Sequence, residues 1–299
     1  MDIGRVGVWQ LFGRAPLPAV RQAATVIERL GYGALWFGES LGSREVFTSA
    51  AILLAATESV PVATGIANLW VRDATTMAAG AEALGEAYPG RFLLGVGVSH
   101  KPQVSVRGHD YANPLAATAG YLSAMETARE NLEFHADPPV PTVLAALRPR
   151  MLELARERTA GAHPYFVPVE HTALARAALG SGRLLAPEQA VVLETDPATA
   201  RATARAHVSF YLGLPNYVNN LRGLGFGDDD FAGGGSDRLV DAIVAWGDAE
   251  TVAARVRAHL DAGADHVAVQ ALSADLAQAS GQLAELAPAL GLTPRPAGG

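Results

Sequence analysis

Four stretches of the chain share one pattern: an amphipathic run ends at a glycine, and a short apolar, β-rich run follows within a few residues. They are RLGYGALWF (29–37), AYPGRFLLGVG (87–97), ERTAGAHPYF (157–166) and HLDAGADHVAVQ (259–270). Gly31, Gly90, Gly161 and Gly263 suit the left-handed position that closes a helix, because glycine has no Cβ to clash there. The runs that follow are mostly continuous in apolar residues, as strands covered on both faces are. Helix then strand, repeated, predicts parallel strands joined by crossovers. Extending the pattern predicts eight strands, at 5–9, 33–37, 60–66, 91–97, 142–146, 160–164, 189–194 and 266–270. Helical patterns such as Pro18 to Leu30 and Asp73 to Ala87 lie between them. Eight βα units in 299 residues fit an α/β fold of the (β/α)8 TIM-barrel type better than a doubly wound sheet of five or six strands.

No shift in composition marks a boundary, so residues 1–292 read as one domain and 293–299 (LTPRPAGG without its first residue) as a frayed tail. The least regular stretch, 211–236, reads as an insertion before the last βα unit, with a mobile glycine-rich part; long insertions often serve as lids or interfaces. With 49% hydrophobic and 18% charged residues, the chain can bury a large core. A net charge of -7 argues against a nucleic-acid binder that relies on clustered Lys and Arg. The absence of cysteine excludes disulfides, thiolate metal sites and a Cys nucleophile. MDIGRVGVWQ has no basic-then-apolar leader and no apolar run approaches about 18 residues, so a cytoplasmic protein without membrane partners is expected.

In a barrel the chemistry sits where the strands end. Those ends are Trp9–Gln10, Glu39–Ser40, Asn68, Ser99–His100, Ala146–Leu147–Arg148, His163 and Gln270. There is no H-x-H, no H-E-x-x-H and no carboxylate cluster after a strand, which argues against a metal site. A G-x-S-x-G elbow is also missing. In GVGVSH (95–100), Gly95 and Gly97 either let backbone and helix pack closely or let a flat ring approach, with Val98, Ser99 and His100 just beyond. His100 is then either a satisfied, partly buried imidazole or a proton-transfer group. ATGIAN (63–68) leaves its strand through Gly65, Ile66 and Asn68, by default a bland turn. Glu39 is either a solvated loop acid or a desolvated one at the barrel mouth. Arg148 and Arg150, beside the amides of 147–151 at a helix start near Pro149, make a plausible anion site, solvated arginines being the alternative. VPVEHT (167–172) is a second candidate cradle, with Glu170 equally an ordinary first-turn acid.

The blocks GYGALWFGES, TGIANLWVRD, YPGRFLLGVGVSH, LAALRPRMLELA, AGAHPYFVP, LGLPNYVNNL and AGADHVAVQ, in this order, resemble the luciferase-like flavin and deazaflavin oxidoreductases, and closely the subgroup using coenzyme F420. The resemblance covers essentially the whole chain and implies a barrel that is typically a homodimer. It implies a cofactor ring leaning on a non-prolyl cis peptide at Gly65–Ile66, with Glu39 as the acid after the second strand. It places the cofactor phosphate around Ala146, Leu147, Arg148 and their neighbours up to Met151, and His163 beside the cofactor's side chain. Two departures stand out: Ser40 where several relatives carry a histidine that acts on a substrate hydroxyl, and His100 where they carry a glutamate. A hydroxyl-to-carbonyl dehydrogenase is therefore less favoured, and reduction of an activated double bond or imine stays open.

The resemblance implies an F420-dependent enzyme passing a hydride to or from a small organic substrate. The competing readings are an FMN-dependent monooxygenase on the same barrel and a non-catalytic cofactor-binding member. Among eight histidines, His135, His207 and His259 fall on expected helical stretches, His109 in a loop, and His266 at the far end of its strand. That leaves His100, His163 and, more distantly, His171; His163 borders the cofactor's side chain, and the resemblance puts His100 at the family's acid position, so His100 is the expected proton-handling residue, with Glu39 supporting the ring or substrate.

Overall fold

The computed structural model describes residues 1–13 and 15–295. Among them are eleven strands, every pair parallel: β1 (Val6–Trp9), β2 (Leu35–Phe37), β3 (Val62–Thr64), β4 (Ala67–Asn68), β5 (Phe92–Gly97), β6 (Thr142–Leu144), β7 (Gly161–Ala162), β8 (Leu184–Leu185), β9 (Glu188–Leu193), β10 (Val244–Gly247) and β11 (Val267–Ala271). β8 and β9 are two halves of one extended run. Leu184, Ala186 and Glu188 donate their amides to Ala160, Ala162 and Pro164 along one edge, at 2.9, 3.0 and 2.9 Å. On the other edge Ala268 donates to Pro187 at 2.9 Å, and β9 continues in register with β11. That run closes a ring through β11, β1, β2, β3, β5, β6 and β7, and the fold is a (β/α)8 barrel.

All eight expected strands are present, but the seventh begins at Leu184 rather than 189, and β10 and β4 were not foreseen. The expected helices appear as Leu17–Arg29 and Ala74–Ala87, the latter capped by Asp73, whose carboxylate accepts from the Thr76 amide at 2.8 Å. Gly31, Gly90 and Gly263 do take positive φ, at 87°, 70° and 106°. Gly161 does not. It lies in β7, where a Cβ would overlap the Leu184 carbonyl oxygen, so glycine serves the close approach of two strands there.

Alternation explains why the strand sequences run apolar throughout. Leu35 and Phe37 face the outer core under the helices, and Trp36 between them points into the barrel with Ala63, Leu93, Val143 and Ala268. Inside, Trp36 stacks on His163 (centroids 4.4 Å apart, 15° between planes) and donates Nε1–H to His266 Nε2 at 3.0 Å.

Two expectations about irregular segments are corrected. The stretch 211–236 is largely helical: Pro197–Leu212 runs into it, and Pro215–Gly223 and Asp228–Phe231 follow. It closes over a second core that includes Phe166, Val208, Leu221, Phe226 and Leu239, and Arg205 and Ser209 bond the carbonyls of Gly235 and Gly234. The tail does not fray at 293. Arg295 donates its amide to the Arg29 carbonyl at 2.9 Å and its guanidinium to Ser59 Oγ at 2.9 Å; 296–299 lie outside the described residues. His135 also sits in a loop rather than on a helix.

Candidate active site

A cavity of about 360 Å³ opens where the strands end. Its walls bring together Glu39, Ser40, Gly65, Ile66, Val98, Ser99, His100, Ala146, Leu147, Arg148, Met151 and His163, residues from five separate strand ends. Three expected site residues are not on this wall. Gly97 is buried in β5, where a Cβ would press on Ile66 Cγ1 at 2.6 Å, and on Gly95 a Cβ would overlap the Thr64 carbonyl. Close packing therefore leaves no room for a side chain at either glycine of GVGVSH. Asn68 sits behind the wall, giving its amide to Glu39 Oε2 at 2.9 Å and accepting from the Trp70 amide at 3.0 Å. Arg150 is exposed outside the cavity.

Glu39 is buried and not bare. Arg72 grips both of its carboxylate oxygens, and the Asn68 amide adds a third bond. The guanidinium also reaches Glu45 Oε1 at 3.1 Å. Burying a carboxylate is tolerable because it is paired and hydrogen-bonded at once. Next to it the Gly65–Ile66 peptide is cis, as the resemblance implied, and forms part of the wall.

His163 is fully buried, and burial pushes its imidazole down to about 4. Its Nδ1–H donates to the Ala186 carbonyl at 2.6 Å, which leaves the lone pair on Nε2. That Nε2 and the nearby Trp9 Nε1 are buried without a protein partner, and both flank the face of Gly65. An unmet donor and an unmet acceptor on one wall mark a place for a polar ligand edge.

Across the cavity His100 starts the helix Lys101–Val106. Its Nδ1 lies 2.9 Å from Asn216 Oδ1, and burial lowers its basicity although the Asn216 contact opposes this. Ser99, before it, holds a left-handed backbone (φ 58°) and its carbonyl accepts from the Tyr111 hydroxyl at 3.0 Å. Arg148 occupies the N-cap of helix Pro149–Arg158 and lines the cavity, while His171 Nε2 pins the Leu147 carbonyl at 2.6 Å. A helix start with an adjacent guanidinium suits an anionic group.

A family model described as luciferase-like monooxygenase matches residues 2–266. The chain belongs to the luciferase-like monooxygenase family. Within that family, a 5,10-methylenetetrahydromethanopterin reductase of Methanolobus tindarius is 25% identical over 294 residues, covering 84% of this chain and 90% of that one. An F420-dependent secondary alcohol dehydrogenase, solved with an F420–acetone adduct, superposes with a TM-score of 0.79 at 16% identity, covering 96% and 99% of the two chains. The oxygenating constituent of 3,6-diketocamphane monooxygenase from Pseudomonas putida, solved with FMN, superposes at 0.68 with 13% identity and 96% of each chain. The luciferase-like barrel is thus common to both kinds of cofactor.

Residues that sequence reasoning missed are Arg72, Tyr165, Tyr211, Asn216 and Tyr217. Arg72 stands in TGIANLWVRD, 33 residues from the Glu39 it neutralises, with no periodic signal to join them. Tyr165 comes from AGAHPYFVP, Asn216 and Tyr217 from LGLPNYVNNL, and Tyr211 stands just before the latter, runs legible as blocks but not as walls of one cavity.

Proposed function

We propose that this chain is a coenzyme F420-dependent oxidoreductase that transfers a hydride between the deazaflavin and a small organic substrate. The observation that carries the reading is the cavity floor: a charge-neutralised Glu39, the Gly65–Ile66 peptide and two unmet polar atoms, Trp9 Nε1 and His163 Nε2. Together they form a flat, buried, polar-edged seat that suits a heterocycle. The relative at 25% identity and the F420-bound dehydrogenase structure support the choice of cofactor.

When bound, F420 supplies a ring carbon that gives or takes a hydride without activating oxygen. Glu39, Ser40, Gly65, Ile66 and His163 would hold the ring end. Arg148 and the amides opening helix Pro149–Arg158 would hold a phosphate, with Ala146, Leu147 and Met151 around it. His100 is the proton-handling residue: with Nδ1–H given to Asn216, Nε2 accepts a proton from the substrate or returns it. The aromatic walls exclude water from the reacting atoms.

Chain expressed in a host that makes F420 should release, on denaturation, a compound with the absorption and mass of F420. Release of FMN in its place would favour the second reading, an FMN-dependent monooxygenase, which the FMN-bound neighbour supports. The proposal includes a cytoplasmic homodimer, which sedimentation of the full chain tests. Among the described residues no helix is long and apolar enough to cross a membrane.

A further inference from the structure

The insertion supplies one wall of the cavity, and that wall is aromatic. Tyr211 stands near the end of helix Pro197–Leu212 and Tyr217 in helix Pro215–Gly223, with ring centroids 5.3 Å apart and planes at 90°. Tyr165, beyond β7, lies 5.2 Å from Tyr211 and 5.0 Å from Trp9. Their hydroxyls are used on one another: Tyr165 donates to Gln270 Oε1 at 2.8 Å and so accepts from Tyr211, also at 2.8 Å. What these two residues offer a ligand is ring face. Phe210, 61% exposed, extends the same wall toward solvent.

One polar contact on this side is His100, whose ring sits 5.3 Å from that of Tyr217. Asn216 Oδ1 is a carbonyl oxygen and can only accept, so Nδ1 carries the hydrogen and Nε2 the lone pair. A ligand meeting Nε2 must therefore bring the donor. Charge is the remaining selector. Among the described lining residues the only Lys or Arg is Arg148, exposed at the mouth and given above to the cofactor's phosphate, and Glu39 is already neutralised by Arg72. An anionic substrate would compete with the cofactor for the one guanidinium.

We propose that the insertion wall is the substrate subsite, that it takes a flat, uncharged molecule carrying a hydrogen-bond donor for His100 Nε2, and that Asn216 is the positioning residue fixing that tautomer. The assignment rests on the proposed function only in giving the Glu39–Ile66 end of the cavity to the cofactor ring.

The test uses the full chain with phenol and benzoate as probes, read by saturation-transfer NMR with and without F420. Phenol should bind in both conditions and benzoate at least tenfold more weakly. Tyr217→Leu and the exposed Phe210→Ala should each weaken phenol about two- to tenfold, the size of a lost ring contact. Tyr211→Phe, which keeps the ring, should stay within about twofold. Nitrogen-15 shifts of His100 should report hydrogen on Nδ1 in the parent chain and a mixture in Asn216→Leu. Equal binding of benzoate, displacement of phenol by F420, indifference to Phe210→Ala, or hydrogen on Nε2 would each overturn the proposal. Failure of F420 to bind, with the phenol pattern intact, would instead remove the cofactor reading and leave the subsite standing.

Discussion

The role proposed for His100 rests on its neighbours. Burial keeps the imidazole neutral, and Asn216 decides which nitrogen is free. Replacing His100 by Asn should lower turnover by about 10²–10⁴-fold while leaving cofactor affinity nearly unchanged. The sign of the pH dependence follows from the lowered basicity. In the oxidising direction the neutral form is required, so turnover should fall only below the ordinary value of 6.5 and should lose that limb in His100→Asn. A loss confined to cofactor affinity would make His100 a binding residue. His100 was legible in the sequence because it follows a strand directly, and Glu39 was legible for the same reason. Their partners were not: Asn216 is 116 residues from His100, and no pattern along the chain encodes such a contact.

Elements were legible where one periodicity dominated. Helix-then-strand repeats predicted the ring of eight, and the cap at Asp73 marked its helix to within a residue. Short strands escaped because β4 and β10 add few apolar residues beyond what a loop or helix end would carry. The insertion was misjudged for a related reason. Its glycines and acids suggest a loop, yet Arg205, Ser209, Ser236 and Arg238 tie that segment into short helices over their own apolar core. Gly161 gives the sharpest test at this scale. A methyl group there must displace the Leu184 carbonyl at the joint that closes the barrel. Gly161→Ala should therefore cost about 1–3 kcal/mol or more, read as a lower urea midpoint, whereas an exposed glycine with open space such as Gly120 carries no such clash. An unchanged midpoint would mean the two strands separate freely.

The whole molecule carries opposed titrating groups in its interior. Unfolded histidines take up a proton near 6.5, whereas burial holds His163, His207 and His266 down to about 4 and His259 to about 3. The unfolded chain binds more protons between those values, so this contribution is full above 6.5 and is lost as pH falls toward 4. Glu188 works the other way: burial raises its carboxyl from 4.5 to about 8, so stability is lost as pH rises across that interval. By urea unfolding, the stability of Glu188→Gln relative to the parent should rise with pH between 5 and 8, by up to about 1.4 kcal/mol per pH unit. Parallel curves would show that Glu188 is ionised in the folded chain.

At the same scale, the barrel, its aromatic insertion wall and the seat at Glu39 and His163 line one compartment, for which we propose a deazaflavin and a small uncharged substrate. Equilibrium titration of the full chain with F420 and with FMN, side by side at two salt concentrations, tests that claim most directly. F420 should bind the more tightly, and Arg148→Ala should weaken it and flatten its salt dependence with the fold intact. Tighter binding of FMN, or F420 binding that ignores Arg148, would contradict it.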